Sequence, residues 1–426
     1  MKKSNLSIFK KITAVCLLAL SILCTSCKKE TKERVVIWTS CSEFAQYVEL
    51  FNLTHPDCQA VLIYKENPSL SLPPAKDEVT PDIIVGSLLQ NESSAKYFKP
   101  LDYLFDRKKI VPGIFYSQLL NAGQKKNKQY LLPVSFNLPA MIFANDNKEL
   151  VEDNYSLTLE NVRETAQKYT QKKRNGSFSR MGFTPLSSDD FLYLSVKLNG
   201  VNFQEDNGSV VFDKDKLLHA IDYIKEWVNT DNGSIQEELD FTYKYLFMPN
   251  YRQVSSSRTL FAFTTSDQLF KIMQEQDLEI DYRWIKSDDL IPIEDSFTMM
   301  GIYQKSKNQA NASEFITWFF DVQNQKTMLE RKIKLNLNTE MFGIAGGFSA
   351  IQEVTEQVLP NYYPQMISNL PPANMLKTPD LLPPRWISYL NVVIQPYIRN
   401  SIIQTEENKK PDFADLEKEW LKKVFD

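Results

Sequence analysis

Two short apolar runs that stand close together in the chain constrain its fold more than any other feature. They comprise residues 130–132 and 140–143, and a proline lies beside each run, Pro133 and Pro139. Proline lacks a backbone N–H donor and drives the preceding residue into extended geometry. The stretch therefore predicts two strands separated by a kink at residues 135–137.

Alternating strand and helix patterns precede this stretch, and a second set of such patterns follows it. The chain has 426 residues, which is enough for about two domains. We therefore interpret the two strands as a crossing between two α/β lobes; a strand–loop–strand within one domain is the alternative. Small-molecule sites favour domain junctions, so Ser135, Phe136 and Asn137 are candidate site residues.

The pattern before the crossing predicts parallel strands with helices between them. Residues 35–38, 60–64 and 82–87 are apolar runs that predict strands, and residues 42–54 predict an amphipathic helix. Strand–helix–strand units form parallel sheets, whose ligands gather at the carboxyl ends of the strands. Those ends are at Trp38 and the polar turn after it, and at Ser87.

The second half of the chain continues the same alternation. Apolar runs predict strands at residues 259–263 and 297–303, and Ser188 is expected to cap the helix that follows it. Helices are predicted from apolar periodicity at residues 158–171, 191–198, 217–228, 312–329, 386–399 and 416–424.

The N-terminus indicates export. Four lysines precede an apolar stretch at residues 12–23, and Ser26-Cys27 follows it. This arrangement resembles a bacterial lipoprotein signal in a relaxed form, with residues 1–26 as the signal peptide, Cys27 as the lipidated residue and residues 27–34 as a tether. Cys24 is the alternative lipidation site, and a plain secretory signal is the alternative interpretation of the whole segment.

Charge and cysteine content restrict the partners. Removal of the signal peptide, which carries four lysines and no acid, lowers the net charge from −4 to −8. This disfavours nucleic acid, which requires a basic face. Cys41 and Cys58 stand at opposite ends of a predicted helix, too far apart for a disulfide. We therefore expect both to be free and largely buried thiols.

Few residues in the sequence suggest a catalytic or a metal-binding site. The chain has two histidines, His55 and His219, and they are far apart in sequence, so we expect no metal or other cofactor. Ser93-x-x-Lys96, Ser188-Asp189-Asp190 and Lys377-Thr378-Pro379 follow the order of the serine acylase motifs. The second motif has Asp for Asn and the third has Pro for Gly. We expect no enzyme, with a serine acylase as a remote alternative.

Aromatic residues near the ends of predicted elements favour a sugar site. Trp38, Phe136, Phe191 and Trp386 have such positions, and aromatic residues make up 12% of the chain. Rings beside Ser, Asn and Asp can stack on sugar C–H faces while the polar groups bind hydroxyls. A place in the core is the alternative for each ring.

Five segments follow one another in an order that is familiar from one family. They are residues 80–84 (Thr-Pro-Asp-Ile-Ile), 130–145, 259–267, 313–319 and 384–386 (Pro-Arg-Trp). This order resembles the extracellular solute-binding proteins of ABC importers (family 1), in the branch of maltose- and glycerol-phosphate-binding proteins. The segments resemble, in turn, the family's "G-P-D-I-I" strand, its first hinge crossing, a later strand and turn, its "A-x-E-F" helix and the start of its late ligand-contacting helix. Ser266-Asp267 replace the usual glycine and tryptophan of that turn.

The resemblance implies an α/β, two-lobed periplasmic-binding-protein fold of the type II kind. Each lobe would be a mostly parallel sheet flanked by helices, and crossing hinge strands would join the lobes. The first lobe would comprise residues 35–138 and 290–340, and the second lobe residues 139–289 and 341–426. By position in the family, ligand contacts would come from Trp38, Ser40, Glu43, Ser87, Asn137, Asp190, Phe191, Thr265, Ser266, Asp267 and Trp386.

We therefore expect a monomeric lipoprotein that holds a sugar, polyol or glycerol-phosphate-type solute in an interlobe cleft and delivers it to ABC permease subunits. Arg385 is a candidate phosphate ligand, because guanidinium groups pair with phosphate bidentately. The lipid anchor would hold the protein at a bacterial membrane, facing the periplasm or the exterior. A surface lipoprotein or adhesin with a degenerate cleft is the main alternative.

Overall fold

The computed structural model describes residues 33–151, 154–276, 278–337, 341–405 and 408–425. The predicted signal peptide, Cys27 and most of the tether lie outside the described residues. Two sheets organise the described chain. Their strands are β1 (Glu33–Thr39), β2 (Cys58–Tyr64), β3 (Ile83–Ser87), β4 (Leu132–Phe136), β5 (Pro139–Ala144), β6 (Ser156–Leu157), β7 (Ala262–Thr265), β8 (Ile280–Ile285), β9 (Thr298–Ile302) and β10 (Phe348–Ser349).

The first sheet has six strands in the order β10-β4-β9-β3-β1-β2. Strand β1 is parallel to both of its neighbours, with Trp38 opposite Ile63 on β2 and opposite Ile84 on β3. The other three pairs are antiparallel. The second sheet has four strands in the order β7-β5-β8-β6, and only the pair β8/β6 is parallel.

The predicted crossing is confirmed, because β4 lies in the first sheet and β5 lies in the second. The two-lobed α/β fold is confirmed as well, but the sheets are mixed rather than mostly parallel. Antiparallel pairing arises where the chain returns to a sheet from the other lobe, as at β9. The predicted lobe limits remain a prediction. One strand departs from them: β10 (Phe348–Ser349) pairs within the first sheet, although the prediction assigned residues 341–426 to the second lobe.

Helices cover the sheets of both lobes. In the first lobe α1 and α10 pack against the sheet, and in the second lobe α5, α6 and α13 pack against one another. The helices are α1 (Phe44–Thr54), α2 (Asp102–Asp106), α3 (Ser117–Ala122), α4 (Leu159–Tyr169), α5 (Asp189–Leu198), α6 (Lys214–Asp231), α7 (Ile235–Lys244), α8 (Asn250–Ser255), α9 (Ser266–Glu275), α10 (Gln309–Phe319), α11 (Val322–Lys334), α12 (Trp386–Tyr389), α13 (Gln395–Ile403) and α14 (Phe413–Phe425).

Helix ends follow the capping residues. Ser188 Oγ accepts a hydrogen bond from the backbone N–H of Phe191 at 3.2 Å, which confirms the predicted cap of α5. The single helix predicted at residues 312–329 is two helices in the structure, α10 and α11. The first helix ends at Phe319, and Asp321 caps the second by accepting a hydrogen bond from Asn324 N at 3.0 Å.

The hydrophobic core is continuous from the first sheet to the second. Phe270 of the second lobe stacks on Phe342 with ring centroids 4.5 Å apart, and Phe348 lies 5.8 Å from the ring of Trp284. Phe342 and Phe348 flank a glycine-containing loop that lies beside the crossing. Aromatic packing therefore joins the two lobes beside the crossing.

Cys41 and Cys58 are free thiols, as predicted. Cys58 is buried and Cys41 half-buried. Burial raises the pKa of Cys41 to about 12 and that of Cys58 to about 11, so both stay protonated and unreactive at neutral pH. Within the described ranges, no helix is long and apolar enough to cross a membrane.

Candidate functional site

Asn137 stands where the crossings between the lobes meet. Its backbone carbonyl accepts a hydrogen bond from Glu294 N at 3.0 Å, on the return crossing. Its side-chain Oδ1 accepts from Ser266 Oγ at 2.6 Å, and its Nδ2 donates to the carbonyl of Gly346 at 2.9 Å. A single side chain thus ties together the first crossing, the start of α9 and the loop before β10.

The loop at residues 343–347 depends on glycine. Gly343 and Gly346 have φ angles of 57° and 75°, which favour glycine. A Cβ on Gly347 would lie 2.6 Å from the carbonyl oxygen of Phe136. Ser135 Oγ holds the loop by donating to the carbonyl of Ala345 at 3.2 Å. This glycine loop therefore lies directly against the end of β4.

A buried ion pair fixes the other side of the glycine loop. Glu43 Oε1 and Lys332 Nζ lie 2.7 Å apart, and their side chains are 2% and 3% exposed. Gly346 N donates to Glu43 Oε2 at 3.2 Å, and Lys332 Nζ donates to Gly343 O at 2.9 Å. Glu43, predicted to contact the ligand, instead holds the loop. Both of its carboxylate oxygens have protein partners in this structure, and ligand contact at Glu43 remains a prediction.

Four carboxylates and one ammonium group gather beside Asn137. Burial raises the pKa of Glu294 to about 7; Lys197 lowers it, whereas Asp295, Asp267 and Asp190 raise it further. The raised pKa means that Glu294 binds its proton more tightly in the folded protein than a glutamate side chain does in water. Glu294 and Asp295 come from the return crossing, Asp190 and Asp267 from the starts of α5 and α9, and Lys197 from the last turn of α5.

Asp295 binds three side chains next to this group of charged residues. Its carboxylate accepts hydrogen bonds from Tyr193 Oη at 2.5 Å and from Trp386 Nε1 at 2.8 Å, and Lys197 Nζ lies 2.6 Å from it. Trp386 is 0% exposed, and its ring packs on Phe203. In this structure Trp386 is held by its hydrogen bond to Asp295 in a cluster of second-lobe residues, and its predicted contact with a ligand remains a prediction.

The other three predicted rings are also buried, and Phe136 is 1% exposed. Phe191 is 0% exposed and contacts Phe183 with ring centroids 4.6 Å apart. Trp38 is 1% exposed, and Lys65 Nζ lies 4.4 Å from its ring centroid. Residues distant in sequence cover the rings of Phe191 and Trp38 in this structure, and sugar contact at them remains a prediction.

The remaining predicted residues differ in accessibility. Ser266 is fully buried and engaged with Asn137, as described above. Thr265 donates to Asp267 at 2.5 Å, and Gln395 donates to Asp190 at 2.7 Å. Ser40, Ser87, Asn137, Thr265 and Asp267 are half-buried, whereas Asp190 and Arg385 are exposed. Ligand contact at these accessible residues remains a prediction.

The two lobes touch across the cleft at Leu88. This residue follows β3 with a φ of 56° and is 3% exposed. It packs in a cluster otherwise formed by second-lobe residues, among them Leu192 and Trp386. Nearby, Glu92 N donates to Glu205 Oε2 at 3.1 Å. The sequence patterns did not predict this contact, although an apolar residue directly after a strand end was a usable signal.

Two pockets flank the lobe contact. One of about 140 Å³ is lined by first-lobe residues such as Asn91 and Tyr97 together with Pro384. The other, also of about 140 Å³, is lined by Lys197 and Asp295 with the segment around Lys377. Lys197, Glu294 and Asp295 are site residues that the sequence patterns missed. No group of metal-ligating side chains is found in the part of the chain that the structure describes.

Comparisons with known proteins agree with this geometry. A family model described as bacterial extracellular solute-binding protein matches residues 66–340. CpMnBP1 with mannotriose bound has a TM-score of 0.61 at 16% identity, covering 91% of this chain and 99% of that chain. The sugar-binding protein MalE from Xanthomonas citri has a TM-score of 0.61 at 12% identity, covering 91% and 96%.

A third solved structure has the same fold. The galacto-N-biose-/lacto-N-biose I-binding protein of the ABC transporter from Bifidobacterium longum, in complex with lacto-N-biose, has a TM-score of 0.57 at 12% identity. The match covers 92% of this chain and 96% of that chain. A comparison with curated proteins finds no match. The TM-scores and the coverage of these matches establish the two-lobed fold, and at such low identities they establish the fold alone.

Proposed function

Because the chain belongs to the bacterial extracellular solute-binding proteins, we propose that it captures a sugar in the cleft between its two lobes. The observation that carries this proposal is the group of carboxylates beside Asn137. Carboxylate oxygens accept hydrogen bonds from ligand hydroxyls, and a sugar presents several hydroxyls to one site. Asp190 is exposed, Asp267 and Glu294 are half-buried, and Asp295 is buried.

The same carboxylates disfavour a phosphorylated solute. Asp295, Asp267 and Asp190 each interact electrostatically with Glu294, and Lys197 is already paired with Asp295. A phosphate placed here would be repelled by the carboxylates and would lose its hydration. Arg385 is exposed and remains the candidate phosphate ligand if the solute is a glycerophosphodiester. A neutral sugar or polyol is therefore the favoured solute class.

Structural relatives support a sugar as well. CpMnBP1 was solved with mannotriose bound, and the Bifidobacterium longum protein was solved with lacto-N-biose. The lobe contact at Leu88 supports closure of the lobes over the solute by hinge motion. We infer that the closed protein docks on ABC permease subunits, that Cys27 carries a lipid anchor, and that no bond in the solute is broken.

A thermal-shift screen of residues 28–426 tests the proposal. Neutral sugars, polyols and glycerophosphodiesters are compared on folded, ligand-free protein. A ligand at about 100 times its dissociation constant stabilises the folded state by about 2.7 kcal/mol, which gives a clear shift. We expect stabilisation by a neutral sugar. Stabilisation only by glycerophosphodiesters would overturn the sugar assignment, and no shift in any class would favour an adhesin with a degenerate cleft.

A further inference from the structure

A cluster of exposed apolar side chains lies at the turn between α7 and α8, on the surface of the second lobe. Leu246 and Phe247 are 58% and 96% exposed, and Tyr243 in the last turn of α7 is 77% exposed. We call these three residues the apolar tip. Contiguous apolar side chains on a protein surface mark a site of interaction, whereas isolated ones do not. None of the candidate cleft residues belongs to the apolar tip, so the tip indicates a separate partner.

Hydrogen bonds hold the apolar tip in a fixed turn. Leu246 N donates to the carbonyl of Tyr243 at 3.2 Å, and Met248 N donates to the carbonyl of Tyr245 at 2.8 Å. Gln253 Nε2, on α8, donates to the carbonyl of Met248 at 2.9 Å. Because the backbone of the turn is anchored on both α7 and α8, the tip is ordered before any partner binds. This order reduces the conformational entropy that is lost on binding.

Two cations flank the apolar tip. Lys244 Nζ lies 5.1 Å from the centroid of the Tyr245 ring, and the Arg258 guanidinium lies 5.8 Å from the same centroid. Both of these basic residues are exposed. Tyr245 stands in the chain between Tyr243 and Leu246, so the two positive charges lie beside the tip.

The sequence around the apolar tip is basic, although the whole chain has a net charge of −4. Residues 241–266 contain three basic residues, Lys244, Arg252 and Arg258, and no acid. Asp240, one turn before Lys244 on α7, is the exposed acid nearest to the tip in the sequence. The cations near the tip therefore outnumber the acids.

A second basic segment packs on the same helix. Residues 171–180 form a two-stranded hairpin, and the loop between its strands carries Lys173 and Arg174, both exposed. Lys172 Nζ lies 3.0 Å from Glu237 Oε1 on α7, so the charge of this acid is paired. A small apolar cluster also joins the hairpin to α7, and its members are Phe178, Met181, Phe241 and Tyr245. This part of the second lobe therefore combines exposed apolar side chains with exposed cations.

We infer that the apolar tip and the cations around it bind the surface of an anionic phospholipid membrane. The tip enters the headgroup region, and Lys244 and Arg258 pair with lipid phosphates. A protein partner fits less well, because a stable protein interface buries about 800 Å² on each side and the tip is a single turn. The inference depends neither on the solute nor on a lipid at Cys27.

Co-sedimentation of residues 28–426 with lipid vesicles tests the inference. This chain lacks Cys27, so binding cannot come from a lipid anchor. The vesicles contain phosphatidylcholine alone or phosphatidylcholine and phosphatidylglycerol in equal parts. We expect saturable binding to the anionic vesicles and at least about tenfold weaker binding to phosphatidylcholine alone. Raising the salt from about 0.1 M to about 1 M should weaken binding to the anionic vesicles, because salt shortens the range of charge interactions.

Variants at the apolar tip and at its cations separate the two contributions. Phe247→Ser should weaken binding to the anionic vesicles by at least about tenfold, because the ring is no longer buried among the lipids. Lys244→Gln/Arg258→Gln should weaken it by about 25-fold, since each cation near an anionic surface contributes about fivefold.

Matched controls make the same changes in the first lobe. Leu53→Ser removes an exposed apolar side chain from α1, and Lys108→Gln/Lys109→Gln removes two exposed cations that follow α2. Both controls should bind the anionic vesicles like the wild type. All variants change exposed residues, so each should unfold at the temperature of the wild type.

Three results would overturn the inference. The first is no binding of the wild type to the anionic vesicles, and the second is equal binding of the wild type and Phe247→Ser. The third is a dimer in analytical ultracentrifugation that Phe247→Ser dissociates, without vesicle binding, which would assign the apolar tip to a second copy of the chain. Solute binding in the cleft should be the same in Phe247→Ser and the wild type, so these results leave the proposed function intact.

Discussion

Leu88 should control how far the two lobes close without a ligand. The side chain is 3% exposed among second-lobe residues although it belongs to the first lobe. Leu88→Ala removes three carbon atoms from this contact. At roughly 0.8 kcal/mol per buried methylene group, the closed arrangement loses about 2–3 kcal/mol relative to an open one. That corresponds to a change of roughly 30- to 150-fold in the ratio of closed to open molecules.

Small-angle X-ray scattering measures this change through the radius of gyration. Unliganded wild-type protein should be compact, and Leu88→Ala should be expanded under the same conditions. Leu53→Ala is the matched control, because Leu53 is 68% exposed on α1, away from the lobe contact. Identical scattering from the wild type and Leu88→Ala would refute the assignment of Leu88 as the lobe contact. An expanded wild type would refute the closed state itself.

Three further predictions concern the hinge, the glycine loop and the N-terminus. Glu294 has a pKa raised to about 7, so its contribution to stability is complete below about pH 4.5 and is lost as pH rises through 7. Glu294→Gln should therefore stabilise the protein at pH 8 by at most about 3 kcal/mol and much less at pH 5, measured by urea unfolding. Lys332→Met leaves the Glu43 carboxylate buried without its cation and should lower the free energy of unfolding by about 3–5 kcal/mol. The control Lys334→Met, at an exposed position, should change the free energy of unfolding by less than about 0.5 kcal/mol. Cys27→Ala should release the protein from membranes into the soluble fraction, and continued membrane retention would point to Cys24 or another anchor.

The sequence was most informative where one local signal determined one element. Prolines beside two apolar runs predicted the crossing, and Ser188 predicted the start of α5. The sequence patterns did not predict the central strand β8, because the charged residues Asp281 and Arg283 interrupt its apolar run. In the structure Arg283 is buried and its Nη1 lies 3.1 Å from Asp281 Oδ2, so an ion pair along the strand makes these charges compatible with the middle of a sheet.

The candidate site was less predictable because burial depends on contacts between distant segments. Trp386 stands at the start of a helix, where a ring can face either a cleft or a core. Its Nε1 donates to Asp295, and the sequence gives no indication that these residues meet. The raised pKa of Glu294 likewise depends on carboxylates from three separate segments. Sequence position thus located the hinge but did not decide which side chains face the solute.

The most direct test of an interlobe sugar site is calorimetric titration of residues 28–426 with a sugar that stabilises the protein. Our account predicts saturable binding that is weakened at least about tenfold by Asp190→Asn/Asp267→Asn, because both carboxylates lie at the cleft. The control variant Asp222→Asn removes one negative charge at an exposed position on α6, whereas the double variant removes two. This control should bind the sugar like the wild type. Equal affinity in the wild type and the double variant would contradict sugar binding in the cleft.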